Sequence, residues 1–273
     1  MKILVTGAKG FSGQYLIEYL QRTSNKTIYS TNKSELDLSN PINVKYLIQK
    51  VKPDQIYHLV GKTCNNYDIA YQTNVLTTKN IFDATLELKL KTRILLIGSA
   101  AEYGIIDEQD NPVSEDHTLK PVSIYGLSKS YQTHLMHYYC LAHQIDVVMA
   151  RVFNLIGQGM PNTLFVGRLY EQIKKYQQGE INEIVLGNLQ NRRDYISIEE
   201  AVKYYDLIMN RGVTGEIYNV GTGKSIQMSQ LLDQILSEFH LDRQIIKKEK
   251  LWGINNKLDI TNIYADITKL KNL

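Results

Sequence analysis

Up to about residue 150, short β-branched and apolar runs alternate with longer amphipathic segments, the pattern of βαβ units around a parallel sheet. Strands are predicted over residues 2–6, 27–31, 55–60, 93–98 and 146–151. Each reads as close to continuously apolar, as expected where helices cover both faces of a strand. Helical periodicity fills the gaps at residues 13–22, 43–51, 74–88 and 125–143. The fold class that follows is α/β, a doubly wound parallel sheet.

Past Arg151 the pattern changes to a glycine-rich turn (Gly157, Gly159, then Pro161), a long helical segment over 164–178 and a short strand over 184–186. A smaller C-terminal lobe is expected to begin there. The apolar run 217–220, followed by Gly221 and Gly223, reads as a return to the sheet, so the two units interleave in sequence. The expected division is 1–155 plus a return segment near 195–225 for the larger domain, and 156–194 with 226–273 for the lobe.

The first strand runs straight into Thr6-Gly7-Ala8-Lys9-Gly10-Phe11-Ser12-Gly13, and a helical pattern starts at the last glycine. In such a loop the first glycine permits a tight turn, the second lets a pyrophosphate approach the backbone and the third lets helix pack on strand. The helix N-terminus adds free amides and a partial positive charge. Gly7, Gly10, Phe11 and Gly13 are therefore expected to hold a dinucleotide. An NAD site usually carries a carboxylate at the end of the second strand to bind the ribose hydroxyls. This chain has Asn32 and Lys33 in that stretch, and Lys9 inside the loop, which suit a 2′-phosphate and favour NADPH over NADH. In the plainer alternative Lys33 is a surface residue and either cofactor is accepted.

Tyr125-Gly126-Leu127-Ser128-Lys129 puts a phenol and an ammonium one helical turn apart on one face. An adjacent cation favours the phenolate and is expected to move the tyrosine towards an acid/base range. By spacing alone the pair is equally well an exposed helical couple.

Composition adds little but excludes much. At 273 residues, 43% hydrophobic and 22% charged, the chain is of ordinary globular make-up, and a net charge of +3 leaves no strong footprint for nucleic acid. The cluster Lys247, Lys248 and Lys250 reads as a solvated surface. Cys64 and Cys140 have no metal or redox spacing and are expected to be free thiols. No stretch approaches the roughly 20 apolar residues of a membrane span, and the N-terminal apolar run is too short for a secretory segment, so a cytoplasmic protein is expected. His134 and His137 lack further ligands nearby, Trp252 reads as packing, and no metal is expected.

The Gly-x-x-Gly-x-x-Gly loop after a threonine, the Tyr-x-x-x-Lys pair and the strand ending Gly98-Ser99-Ala100-Ala101-Glu102-Tyr103-Gly104 together resemble the extended short-chain dehydrogenase/reductase family. That family is built on a Rossmann domain. The resemblance implies that Asp37 and Leu38 contact the adenine, that Leu59, Val60 and Gly61 flank the nicotinamide end, and that Lys129 also holds the nicotinamide ribose. It implies that Ser99 hydrogen-bonds the reacting oxygen beside Tyr125. Sugar dehydratases of the family carry acidic residues where this chain has Ala100 and Ala101. Glu102 comes one place later and should point elsewhere, so elimination is disfavoured.

Further on, Arg151-Val152-Phe153-Asn154, Phe165-Val166-Gly167-Arg168 and Leu186-Gly187-Asn188-Leu189 through Arg193-Asp194 are similar to the branch that reduces GDP-linked 4-keto-6-deoxy sugars of the mannose or heptose type. This resemblance implies Asn154, Arg168, Asn188 and Arg193 as substrate residues, a nucleotide-sugar partner, and a homodimer formed through the helix at 125–143. Arg193 paired with Asp194 or another carboxylate is the plainer alternative. The chain departs from the branch in its short C-terminus and in residues 251–260. A nucleotide-sugar C4-epimerase is the rival enzyme, and a non-catalytic cofactor sensor the rival of another class.

Overall fold

A computed structural model describes residues 1–31, 36–248 and 260–273. Its strands are β1 (Lys2–Thr6), β2 (Thr27–Thr31), β3 (Gln55–His58), β4 (Arg93–Ser99), β5 (Val147–Val152), β6 (Asn154–Ile156), β7 (Ile184–Leu186), β8 (Arg192–Arg193), β9 (Tyr195–Ser197), β10 (Ile217–Val220), β11 (Ile226–Gln227), β12 (Ile246–Lys248) and β13 (Asn262–Ile263). The helices are α1 (Phe11–Thr23), α2 (Pro41–Val51), α3 (Tyr67–Ala70), α4 (Thr77–Glu87), α5 (Ile124–His143), α6 (Phe165–Gln177), α7 (Ile198–Arg211), α8 (Met228–Glu238) and α9 (Thr268–Lys271).

Among the described residues one parallel sheet of six strands runs β10-β5-β4-β3-β1-β2. The order reverses between the neighbours β1 and β3, and the carboxyl ends of those two strands open the crevice in which such sheets bind ligands. Ile3, Leu4 and Val5 of β1 are fully buried because helices cover both faces. On one side Leu16 and Leu20 of α1 pack with Ala201, Tyr205 and Ile208 of α7. Val44 and Ile48 of α2, Phe82 of α4 and Met136 of α5 fill the other side.

A separate apolar cluster joins α6, β7 and α8 through Leu169, Ile173, Leu186, Leu232 and Ile235. The last helix does not join it. Leu270 of α9, with Leu273 beside it, packs into the main core.

Three details differ from the sequence pattern. β2 is an edge strand, with Thr27, Tyr29 and Ser30 exposed, because among the described residues no further strand pairs with its outer side. β3 stops at His58, two residues short of the expected end, and residues 59–61 turn over the crevice instead. The helix expected to start at 74 starts at Tyr67, where the Asn66 side chain accepts from Ile69 N (2.9 Å), and passes through a π turn at Tyr71–Leu76 before α4.

Candidate active site

The glycine loop follows from two backbone approaches, at Gly7 and Gly13, that leave no room for a side chain. Gly7 adopts φ +73°, and a Cβ there would lie 2.9 Å from the carbonyl carbon of Leu59. At Gly13 a Cβ would lie 2.3 Å from Gly7 O, so the third glycine is what lets α1 start against the loop. Around Gly10 only Gly7 O, at 3.1 Å, lies near the Cβ position, which leaves the outer face of the turn open. The first turn of α1 carries no acidic residue and no side-chain cap, so its amides face outward unneutralised.

A cavity of about 440 Å3 runs along this loop. It collects Gly7, Gly10, Asp37, Leu38, Leu59, Val60 and Gly61, seven residues expected at the cofactor, together with Lys9. Phe11 and Gly13 stand behind it: the Phe11 ring packs edge-on against Tyr15 with centroids 5.6 Å apart, and Gly13 is buried. Asn32 and Lys33, like Lys250, Trp252 and most of the divergent 251–260 segment, lie outside the described residues. Thr31, Lys62, Gln72 and Thr73 also line the cavity and carry no sequence signal of their own. Gln72 and Thr73 reach it through the π turn, a bulge common at functional sites. The same turn buries Asn74, whose side chain accepts from Lys62 N (2.7 Å) and donates to Lys62 O (3.2 Å) and Ser128 Oγ (2.8 Å).

The catalytic candidates meet where β4 ends. Ser99 caps a short 3-10 turn over Ala100–Glu102, its Oγ accepting from Ala101 N at 3.2 Å. α5 starts against that turn, capped by Ser123 Oγ, which accepts from Gly126 N at 3.0 Å. Gly126 is required for the approach, since a Cβ there would sit 2.3 Å from Ala101 O. The close packing sets the Tyr125 phenol beside the hydroxyls of Ser99 and Thr63.

Lys129, 2% exposed, lies one turn further along α5 with Nζ 6.0 Å from the Tyr125 ring centroid. Its ammonium donates to Ile97 O (2.8 Å) and Gln132 Oε1 (3.0 Å). Burial lowers its pKa to about 8, against the opposing pull of the Glu102 carboxylate. The phenol of Tyr125 is pushed up, first by burial, with the neighbouring Ser99 hydroxyl acting the other way. This corrects the expectation of a phenol lowered by its lysine. The ammonium is engaged with Ile97 and Gln132, and desolvation of the phenolate wins.

His58 at the end of β3 is fully buried between Thr6 Oγ1 (2.7 Å from Nδ1) and Thr77 Oγ1 (3.3 Å from Nε2). Burial, then the charge of Lys129, lowers its pKa to about 3, so it is a neutral structural ring and not a proton donor.

The four residues expected at the substrate do not line this cavity. Asn154 Nδ2 donates to Asp194 O at 3.1 Å across the β6–β9 pairing. Arg193 Nη1 donates to Arg192 O at 2.8 Å. The Asp194 carboxylate is taken up by Thr222 N and Oγ1, Gly223 N and Ala265 N. Asn188 closes a turn, accepting from Gln190 N at 2.9 Å, and Arg168 is exposed on α6. Among the described residues no group of three or more His, Cys, Asp or Glu is arranged to hold a metal ion.

Residues 3–221 match the sequence profile of the NAD dependent epimerase/dehydratase family. The chain belongs to this family. It is 31% identical over 278 aligned positions to GDP-6-deoxy-D-talose 4-dehydrogenase of Aggregatibacter actinomycetemcomitans, covering 100% of this chain and 91% of the relative. It is 25% identical to GDP-6-deoxy-D-mannose reductase of Pseudomonas aeruginosa, covering 90% of this chain and 83% of that one. In fold it matches the structure of RMD from Pseudomonas aeruginosa complexed with NADPH, with a TM-score of 0.87 at 23% identity over 99% of this chain and 90% of the other.

Proposed function

We propose that the protein is an NAD(P)H-dependent reductase of a GDP-linked 4-keto-6-deoxy sugar, acting at C4. The observation that carries this reading is the Tyr125 phenol, set beside the Ser99 hydroxyl and one helical turn from the Lys129 ammonium, at the carboxyl edge of a parallel sheet next to a glycine-lined cavity. The names of the two relatives support the substrate class. 6-Deoxytalose and 6-deoxymannose differ only at C4, so oxidation at that carbon takes both to one ketone.

The residues fit a dinucleotide. Gly7, Gly10 and the first amides of α1 would take the pyrophosphate; Asp37 and Leu38 lie along the cavity on the adenine side, and Leu59 to Gly61 lie towards Lys129. A Cβ on Gly61 would come within 3.3 Å of Lys129 Nζ, which shows how near that end of the cavity is to the catalytic helix. NADPH is favoured, because Lys9 lines the cavity alongside Thr31, the last residue of β2, and that position carries no carboxylate. The bound nicotinamide supplies hydride.

The chain's own groups handle the oxygen. Ser99 Oγ accepts from Ala101 N, which leaves its own hydrogen available for the carbonyl oxygen. Tyr125 gives its phenolic proton to that oxygen as it becomes an alkoxide, and the Lys129 ammonium stabilises the phenolate left behind. Nothing here performs elimination: Ala100 and Ala101 are apolar, and Glu102 is turned into the interior. Asn154, Asn188 and Arg193 are proposed to move onto the GDP-sugar from the bonds they now make, and Arg168 to reach it from the exposed face of α6, with the cluster of α6, β7 and α8 forming the core of the substrate lobe. The test is deuteride transfer from the labelled reduced cofactor. Deuterium at C4 of the product supports the reading, and deuterium elsewhere, or a product without it, overturns it.

A homodimer is proposed through the face shared by α3, the π turn and α5. Tyr67, Ile69, Tyr71, Tyr131, Tyr138 and Leu141 are all exposed there, an apolar patch that favours a partner surface. Light scattering is expected to give the mass of two chains for the native protein and of one chain for Tyr67→Glu with Tyr131→Glu. A monomeric native protein contradicts the dimer. A cytoplasmic location is supported by the two unlinked cysteines and by the lack, among the described residues, of a helix long and apolar enough to cross a membrane.

A further inference from the structure

Glu102 is fully buried, yet it is a carboxylate one turn beneath the catalytic hydroxyls. Its two oxygens bind three different elements. Oε1 accepts from Ser99 N at 2.7 Å, closing a capping box with the Ser99 side chain. Oε2 accepts from Thr133 Oγ1 at 2.6 Å on α5, one turn past Lys129, and from Arg151 Nη2 at 3.1 Å on β5. Arg151 is 1% exposed and donates as well to the hydroxyl of Tyr103 (3.0 Å) and to Glu115 O (3.2 Å).

We propose that Glu102 is a positioning residue that locks Ser99 to the catalytic helix and sets its charge against that helix. The inference rests on the catalytic roles given above to Ser99, Tyr125 and Lys129. A salt bridge that served only to join β4 to β5 would need Arg151 alone. This carboxylate also holds the backbone nitrogen of the catalytic serine and the helix carrying the tyrosine and lysine, so three parts of the site share one anchor. The charge counts as well as the bonds, because a buried anion acts through a weakly screening interior.

The groups facing this region are Lys129, Tyr125 and His137 on α5, Arg151 on β5, Tyr103 after the 3-10 turn and His58 at the end of β3. The Glu102 charge raises both Lys129 and Tyr125. Loss of that charge therefore lowers both groups, and both shifts act in one sense on ketone reduction. Reduction needs a protonated Tyr125 and a charged Lys129, so activity must fail at lower pH once the carboxylate is neutral.

Glu102→Gln keeps an acceptor for Ser99 N and removes the charge. Because it leaves Arg151 buried without its partner, the double variant Glu102→Gln with Arg151→Gln is made alongside it. Two readouts are taken on each: the Lys129 side-chain titration by NMR of labelled lysine without substrate, and kcat/KM against pH for reduction of the keto sugar. The expected result in Glu102→Gln is that the Lys129 midpoint and the alkaline limb of kcat/KM both move down by about one pH unit, a loss of roughly fivefold in rate near the native midpoint, with a smaller shift in the same direction in the double variant, where the Arg151 charge is lost as well. An unmoved Lys129 midpoint overturns the proposal. So does a loss of rate by the same factor at every pH, which is what a purely structural role produces. If native protein leaves the keto sugar unreduced while the Lys129 midpoint still falls in the variants, the substrate reading fails and the electrostatic role of Glu102 stands.

Discussion

Tyr125→Phe is expected to cut turnover by about a thousandfold while leaving cofactor affinity within about twofold, a loss in the range of a missing general acid. The ring of Tyr125 is only partly exposed and Phe keeps its packing, so the fold should be unchanged. What disappears is the phenolic hydroxyl beside Ser99 and Thr63, whose proton burial makes still harder to lose to solvent. Water is a poor substitute, since a proton must reach the alkoxide as hydride arrives, and the nearby His58 is neutral with its ring nitrogens occupied. Steady-state rates together with a cofactor titration check this. Near-native rates in the variant would remove Tyr125 from the mechanism.

The second large effect is at Gly13, where Gly13→Val is expected to abolish cofactor binding and to lower the melting temperature by about 5–10 °C. Its Cβ would sit 2.3 Å from Gly7 O and 2.8 Å from the Cα of Ala8, and both obstacles are backbone that cannot rotate away. The start of α1 must then lift off the loop, and the amides that face the cavity move with it. Calorimetry with and without NADPH separates the two consequences. A variant that binds cofactor as the native protein does would show that the close approach of α1 to the loop is not what shapes the site.

Much of this was legible in the sequence because it depends on local pattern. β1, β2 and β7 fall on the predicted residues, since strand periodicity and flanking turns mark both ends. The glycine loop was equally plain, as the spacing of Gly7, Gly10 and Gly13 encodes backbone approaches made within a few residues. What sequence did not reveal depends on distant partners. The π turn that brings Gln72 and Thr73 to the cavity is set by bonds from Asn74 to Lys62 and Ser128, positions far apart in the chain. The early start of that helix was hidden in a polar run around Asn66. β2 read as covered on both faces, and only the strand order makes it an edge.

The chemistry followed the same division. Tyr-x-x-x-Lys gave the correct neighbours on one helix face, but not the direction of the phenol's shift. That direction is decided by how deeply α5 is set against the turn after β4, and so by Gly126 and Ala101. Glu102 was expected only to point away. That it binds Ser99, Thr133 and Arg151 at once follows from three elements meeting in space.

The most direct measurement is consumption of reduced cofactor when purified protein is given NADPH or NADH with freshly made GDP-4-keto-6-deoxy-mannose. One cofactor oxidised for each sugar reduced, faster with NADPH, is the expected result. Conversion of a GDP-sugar with no net cofactor oxidation would contradict it and make the enzyme an epimerase.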